Sequence, residues 1–333
     1  MVTETPVLEL EELTVGIRSD RGVFSAVEGL SLSINKGEVL GLVGESGCGK
    51  SLTALAIMGL LAAPAVRVTG GHIRFAGQDL LTLSDDQRRR LRGDRIGMIF
   101  QEPMTSLNPV YTVGAQLVEA LRTHRPVSRS QAWREAVAML DKVGIPAAAS
   151  RALNYPHELS GGMRQRVMIA MALMCGPELL IADEPTTALD VSTEAQLLDL
   201  LLALRRDLGM AILMITHDLG VVAEMADKVA VMYAGRLVES APVGELFKVP
   251  AHPYTRALLG SMPRLDVETD RLVAIEGTVS PPHARPSGCS FRDRCPKAQP
   301  RCAGHVPVLE HLAAGHEVRC FFPSVEHAAQ ASP

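Results

Sequence analysis

Gly44-Glu45-Ser46-Gly47-Cys48-Gly49-Lys50-Ser51 follows directly on the apolar run Glu38-Val39-Leu40-Gly41-Leu42-Val43. The run is short and bounded by glycine, as in a strand buried in a parallel sheet. From Lys50 to about Leu61 the apolar spacing becomes helical. A strand, a turn of the form G-x4-G-K-S and a helix make a phosphate-binding loop. Its glycines let successive N–H groups turn toward phosphate oxygens, and the helix adds its positive N-terminal end. Lys50 supplies a point charge for the β- and γ-phosphates, and the Ser51 hydroxyl supplies a ligand for Mg²⁺. The candidate nucleotide-binding residues are therefore Gly44, Glu45, Ser46, Gly47, Cys48, Gly49, Lys50, Ser51 and Leu52. Cys48 fills a position where the loop pattern tolerates any residue.

Such a loop calls for an acidic strand elsewhere in the chain. Leu179-Leu180-Ile181-Ala182-Asp183-Glu184 supplies one. Four apolar residues bury the strand and its carboxylates emerge at the C-terminal end, where ligands sit in open α/β sheets. Asp183 is placed to hold Mg²⁺, and Glu184 to accept a proton from attacking water.

Outward from these two strands, Val7–Leu10, Leu13–Val15 and Leu30–Ile34 read as short strands, and Ala211–Ile215 as another buried one. Ser192–Leu208 reads as an amphipathic helix with Leu197, Leu201 and Leu204 on its apolar stripe. Strands alternating with helices imply a parallel sheet with right-handed crossovers. Residues from about 102 to 165 lose the strand pattern and predict a helical insertion, in which Trp133, Val137 and Leu140 share a face. Val229–Tyr233 and Arg236–Val238, joined through Ala234-Gly235, predict a hairpin. A boundary is expected near 245–250, where Pro250, Pro253, Pro263, Pro281, Pro282 and Pro286 follow. It divides a core domain, 1–248, from an extension, 249–333.

With 333 residues, 47% of them hydrophobic, the chain can bury a sizeable core. A net charge of −4 leaves no basic field to recruit nucleic acid. The basic run Arg88-Arg89-Arg90-Leu91-Arg92 reads as a solvated helix face. No apolar stretch reaches the ~18 residues that span a bilayer, and the acidic N-terminus lacks a signal-peptide pattern. The expectation is a cytoplasmic chain that reaches a membrane only through partners.

Leu159-Ser160-Gly161-Gly162-Met163-Arg164-Gln165-Arg166 narrows the class. It resembles the signature motif of ATP-binding-cassette proteins, with Met163 where glutamine is commoner. The resemblance covers about residues 7 to 245. It implies a P-loop NTPase core with a parallel sheet, an antiparallel β subdomain and a helical signature subdomain. Ser160, Gly161 and Gly162 would close over the γ-phosphate held by a second cassette, identical or homologous, in a head-to-tail dimer. Gln101 stands at the family's metal- and water-sensing glutamine, Ala188-Leu189-Asp190 at the loop that crosses the dimer, and His217 at the switch histidine. Phe24 is the aromatic nearest the position that stacks on adenine. Lys50, Gln101, Glu184 and His217 become the catalytic set, and Ser51, Gln101 and Asp183 the Mg²⁺ ligands.

Two further strings narrow the resemblance. Phe100-Gln101-Glu102-Pro103-Met104-Thr105-Ser106-Leu107-Asn108-Pro109 and His252-Pro253-Tyr254-Thr255-Arg256-Ala257-Leu258-Leu259 are similar to those of oligopeptide and dipeptide importer ATPases. That subfamily also serves nickel and some oligosaccharide systems. It implies two transmembrane permease subunits, an extracytoplasmic solute-binding protein, and a peripheral place on the cytoplasmic face of the inner membrane. The surface near Gln101–Pro109 would grip the permeases. A cassette protein of DNA repair or translation would carry paired cassettes or coiled-coil insertions, and this sequence has neither. A non-hydrolytic regulatory subunit is disfavoured by Glu184 and His217.

Cys289-x5-Cys295-x6-Cys302-x17-Cys320 closes the chain. Four thiolates suit an iron–sulfur cluster or Zn²⁺, and the absence of a Cys-x2-Cys knuckle weakens zinc. Cys295-Pro296 resembles the Cys-Pro step of ferredoxin-like sites, and some importer ATPases carry a [4Fe–4S] cluster there. Unmetallated thiols are the third reading.

Overall fold

The computed structural model describes residues 5–20, 22–101, 107–187, 190–262, 275–313 and 315–324. They fall into two compact units. One comprises the described residues of Met1–Glu9, Ser33–Val39 and Ile73–Ile215; the other comprises those of Leu10–Leu32, Leu40–His72 and Thr216–Pro333.

The first unit is built on parallel strands Ile96–Ile99, Leu179–Asp183 and Ala211–Thr216. Met98 pairs with Ile181, and Ile181 with Leu213. Every residue of the three strands is buried. This is why they read as unbroken apolar runs rather than alternating ones. With them go three helices, the last of which runs to Leu173, beyond the limit of about 165 expected for the helical stretch. Helices Val113–His124, Arg129–Lys142 and Gly161–Leu173 pack on one another. Thr112, Ser128 and Ser160 cap them, each side chain accepting the N–H three residues on. The buried stripe of the middle helix runs through Ala132, Ala136 and Leu140, with Trp133 and Val137 beside it. Gly114 is required at this packing, because a Cβ there would lie 2.8 Å from the Trp133 ring and from the Ala152 carbonyl. Helix Val191–Leu208 buries Leu197, Leu201 and Leu204 as its pattern predicts. The basic run lies on the short helix Asp85–Leu91, which buries none of its residues and where Arg88 and Arg89 pair with Asp85 and Asp86.

In the second unit, strand Val39–Val43 pairs in parallel with Lys228–Tyr233, Leu42 opposite Ala230. Lys228–Tyr233 turns back antiparallel into Arg236–Pro242, which is the expected hairpin, longer than its sequence signal. The two strands expected at the N-terminus are one, Leu8–Ser19, and the next strand starts earlier than expected, spanning Gly22–Ile34. The intervening polar pair Glu11-Glu12 is exposed, and Glu12 takes positive φ, 49°, without ending the strand. The helix after the loop ends at Met58 rather than Leu61, because Gly59 adopts the left-handed cap.

The extension has strands that its sequence does not announce. His316–Val318 pairs antiparallel with Arg236–Pro242, Val318 opposite Glu239, and Glu310–Ala313 pairs with His316–Val318 in turn. The extension thus continues the hairpin's sheet. Its junction is polar and buried: Glu239 accepts the N–H groups of Ala251 and His252 at 2.7 and 2.8 Å, and His316 Nε2 lies 2.8 Å from Glu239 Oε1.

Candidate functional site: a phosphate loop, an acidic strand and a capped signature helix

Between Val43 and Lys50 the backbone makes a turn that glycine alone supports. Gly44, Gly47 and Gly49 have φ of 150°, 78° and 107°. A Cβ on Gly44 would collide with the Met232 carbonyl oxygen. Helix Lys50–Met58 follows with no side-chain cap on its first N–H groups, the arrangement that leaves them for an anion. Ser46 and Gly47 are exposed, Ser51 and Leu52 half-buried. Lys50 is buried, and its ammonium donates to the carbonyls of Gly44 at 2.6 Å and Glu45 at 3.1 Å. Cys48 Sγ lies 3.8 Å from Lys50 Nζ, and burial raises its thiol pKa despite that neighbour. Phe24 is half-buried and meets the ring of His283 edge-on at 5.9 Å.

On the acidic strand, Asp183 is buried at the last position and Glu184 stands half-buried just beyond it. Glu184 holds a positive φ of 48°, a conformation costly for a non-glycine residue and frequent where function dictates geometry. Two neighbours fix its carboxylate. Gln101 Nε2 and Thr187 Oγ1 each donate to Glu184 Oε2 at 3.0 Å. The buried Gln165 amide, from the signature helix, donates to the Pro185 carbonyl.

Ser160 caps the signature helix: its hydroxyl accepts from the Met163 N–H at 3.3 Å. Ser160 and Gly161 are exposed, and a Cβ on Gly161 would meet no atom within 4 Å. Asp190 caps the helix Val191–Leu208; bonds from the Thr193 N–H and hydroxyl, at 3.0 and 2.8 Å, lower its carboxyl pKa. Ala188 and Leu189, and Glu102 through Ser106, lie outside the described residues. His217 is exposed directly after strand Ala211–Thr216 and before Asp218, which caps the next helix, Leu219–Met225.

Residues 27–187 match the ABC transporter family, and residues 238–302 match the C-terminal region of oligopeptide/dipeptide transporters. The dipeptide transport ATP-binding protein DppD of Escherichia coli is 49% identical over 317 residues, covering 95% of this chain and 97% of that protein. The chain belongs to the ATP-binding-cassette transporter family. A second relative, the probable peptide ABC transporter ATP-binding protein y4tR of Sinorhizobium fredii, is 51% identical over 316 residues, covering 95% of this chain and 94% of that protein. Among solved structures, the dimeric ATP-binding cassette MJ0796 bound to ADP and Pi superposes with a TM-score of 0.64 at 27% identity, over 71% of this chain and 98% of that one. The fold is that of an ATP-binding-cassette ATPase.

Nothing in the local sequence announces what surrounds Glu45 in this cassette. Arg294 Nη1 lies 3.0 Å from both Glu45 carboxylate oxygens, and the Glu45 N–H donates to the Tyr254 hydroxyl at 2.9 Å. Both partners come from the extension, more than two hundred residues away in sequence, and no local pattern signals such a pairing. Tyr254 is fully buried and packs with Tyr233 and Phe291 at ring-centre distances of 4.7 and 5.3 Å.

The four tail cysteines line one cavity with Phe291 and Phe322. Cys289 donates its N–H to the Cys302 carbonyl at 2.8 Å. Burial raises the pKa of Cys289 and Cys295 and pushes Cys320 up to about 11. Among the described residues, no group of three or more His, Cys, Asp or Glu is arranged to hold a metal ion. Among those residues, too, no helix is long and apolar enough to cross a membrane.

Proposed function

We propose that this chain hydrolyses ATP as one cassette of a pair and thereby powers uptake of di- or oligopeptides across the cytoplasmic membrane. The observation that carries the reading is the Glu184 carboxylate, held by Gln101 and Thr187 at the end of a buried strand, in a chain that also has a complete phosphate loop. The peptide cargo is supported by the names of the relatives and by the matched extension at 238–302. Nickel or an oligosaccharide is the alternative cargo of the same subunit.

The loop N–H groups and Lys50 bind the β- and γ-phosphates of ATP. The donors proposed for Mg²⁺, the Ser51 hydroxyl, the Gln101 amide and the Asp183 carboxylate, are the hard oxygen ligands this cation prefers. When bound, Mg²⁺ neutralises phosphate charge. Glu184 takes the proton of the attacking water and His217 contacts the γ-phosphate. Phe24 stacks on adenine. Ser160, Gly161 and Gly162 serve the nucleotide of a partner cassette, with Asp190 at the crossing. Closure of the two cassettes moves the permease subunits, which an extracytoplasmic binding protein loads. The chain then sits on the cytoplasmic face of the membrane without crossing it.

The tail is read as a small Cys-rich domain over 249–333. The [4Fe–4S] reading is supported by four cysteines that line one apolar cavity, and Zn²⁺ is the alternative occupant. Cys295→Ser is expected to abolish iron content and visible absorbance; undiminished iron would remove the assignment. The transport reading is tested by recovering the tagged chain from its native membrane. Two multi-spanning permeases and a second cassette are expected with it. Recovery of ribosomes or nucleic acid in their place would overturn it.

A further inference from the structure

We propose that Arg294 and Tyr254 of the extension are positioning residues for ATP, acting through Glu45. The inference rests on the reading of Gly44–Ser51 as the phosphate loop.

Glu45 is a node. Its carboxylate is held by Arg294, its N–H by Tyr254, and its carbonyl receives the Lys50 ammonium at 3.1 Å. Three bonds on one residue therefore set where the first turn of the loop lies and where one anchor of Lys50 sits. The Arg294 side chain is 8% exposed. Its other nitrogens are engaged: Nε by the Glu276 carbonyl at 2.8 Å and Nη2 by the Ile275 carbonyl at 3.1 Å. The planar guanidinium is thus locked from behind and presents one nitrogen to Glu45.

The electrostatics give the pair a purpose. A carboxylate in a phosphate loop repels the polyphosphate it helps to bind. Arg294 offsets that charge through direct contact with both oxygens. Without Arg294, Glu45 keeps its negative charge, loses its tether, and opposes ATP both by repulsion and by loosening the carbonyl that anchors Lys50. The extension, read from its sequence as a separate tail, becomes part of the machinery that sets nucleotide affinity.

The test is a double-mutant cycle in the full chain, reading ATP affinity by calorimetry and folding by thermal melting. Arg294→Ala is expected to weaken ATP binding about tenfold. Glu45→Gln, which removes the repelling charge but weakens the tether to Arg294, is expected to cost less than Arg294→Ala. In the double variant, Glu45→Gln should recover the part of the loss that comes from repulsion and leave the part that comes from the lost tether. Tyr254→Phe, which deletes one hydroxyl and keeps the ring packing, should weaken binding about threefold to tenfold. It serves as the second probe if Arg294→Ala fails to fold. A purely structural Arg294 would lower the melting temperature and leave ATP affinity, or its rescue by Glu45→Gln, unmoved. Unchanged affinity in Arg294→Ala, or additive losses in the double variant, would overturn the inference while leaving the loop assignment intact. Lys50→Ala separates the two: it should abolish binding, and retained affinity there would remove the loop assignment and this inference with it.

Discussion

Gln101 Nε2 donates to Glu184 Oε2 across 3.0 Å, joining the residue that opens the helical insertion to the carboxylate at the end of the acidic strand. Thr187 reaches the same oxygen at the same distance. With two donors on one oxygen, the orientation of the carboxylate is set by side chains of the protein itself.

Glu184→Gln keeps the shape of the side chain but removes the basic oxygen. Hydrolysis should fall by about two to four orders of magnitude, the range for loss of a general base. ATP affinity should hold within about twofold, and single-turnover phosphate release checks the split. Gln101→Ala removes one of the donors on the carboxylate without removing the carboxylate and should cost less, about tenfold.

The observed cap of Ser160 and its proposed contact with a partner cassette separate by experiment. As a helix cap, Ser160→Ala should lower stability by about 1 kcal/mol in denaturant titration. As a group presented to a partner, Ser160→Arg should stop hydrolysis by the assembled pair and leave ATP binding by the isolated chain unchanged. Lost nucleotide affinity in the isolated chain would argue that the serine serves its own site.

The loop glycines differ in kind. Gly47 has positive φ and open space around it, so Gly47→Ala should cost only the backbone strain, about 1 kcal/mol. Gly44 combines positive φ with the Met232 carbonyl oxygen, which a Cβ at that position would strike, so Gly44→Ala should cost roughly 3 kcal/mol or more. Thermal melting of the two variants side by side tests the order.

Acid should loosen the junction of the extension. Burial lowers the His252 pKa from 6.5 to about 4, with Glu239 opposing the shift. The folded state keeps this imidazole neutral, its Nδ1 accepting the Tyr254 N–H at 3.0 Å. The unfolded chain therefore binds the extra proton first. Stability from this group is complete above pH 6.5 and drains as pH falls toward 4, amounting to about 3 kcal/mol for the full shift. His252→Asn should flatten that part of the stability-against-pH curve.

The sheet and the loop are legible in the sequence because burial writes itself as unbroken apolar runs: Leu179–Ala182 and Ala211–Ile215 each fall one residue short of the strand observed. The phosphate loop is legible because its glycines are forced by conformation, as Gly44 and Gly49 show. The signature motif is readable only as a family string, since nothing local in Ser160-Gly161-Gly162 announces a partner's phosphate. The strands Glu310–Ala313 and His316–Val318 escape notice because runs of four and three residues are too short to show alternation. Arg294 and Tyr254 escape it for a different reason. Their partner Glu45 lies 249 and 209 residues away, and a contact made by tertiary packing leaves no mark on either segment.

Vesicles holding the two permease subunits, this chain and its partner cassette, with ATP on the cassette side and a labelled dipeptide delivered by the binding protein, measure the coupling of hydrolysis to peptide uptake. The predicted result is ATP-dependent accumulation of the dipeptide, accompanied by phosphate release, with both falling at least about a hundredfold when this chain carries Glu184→Gln. Phosphate release that persists in that variant, or hydrolysis that drives no di- or oligopeptide at all, would contradict it.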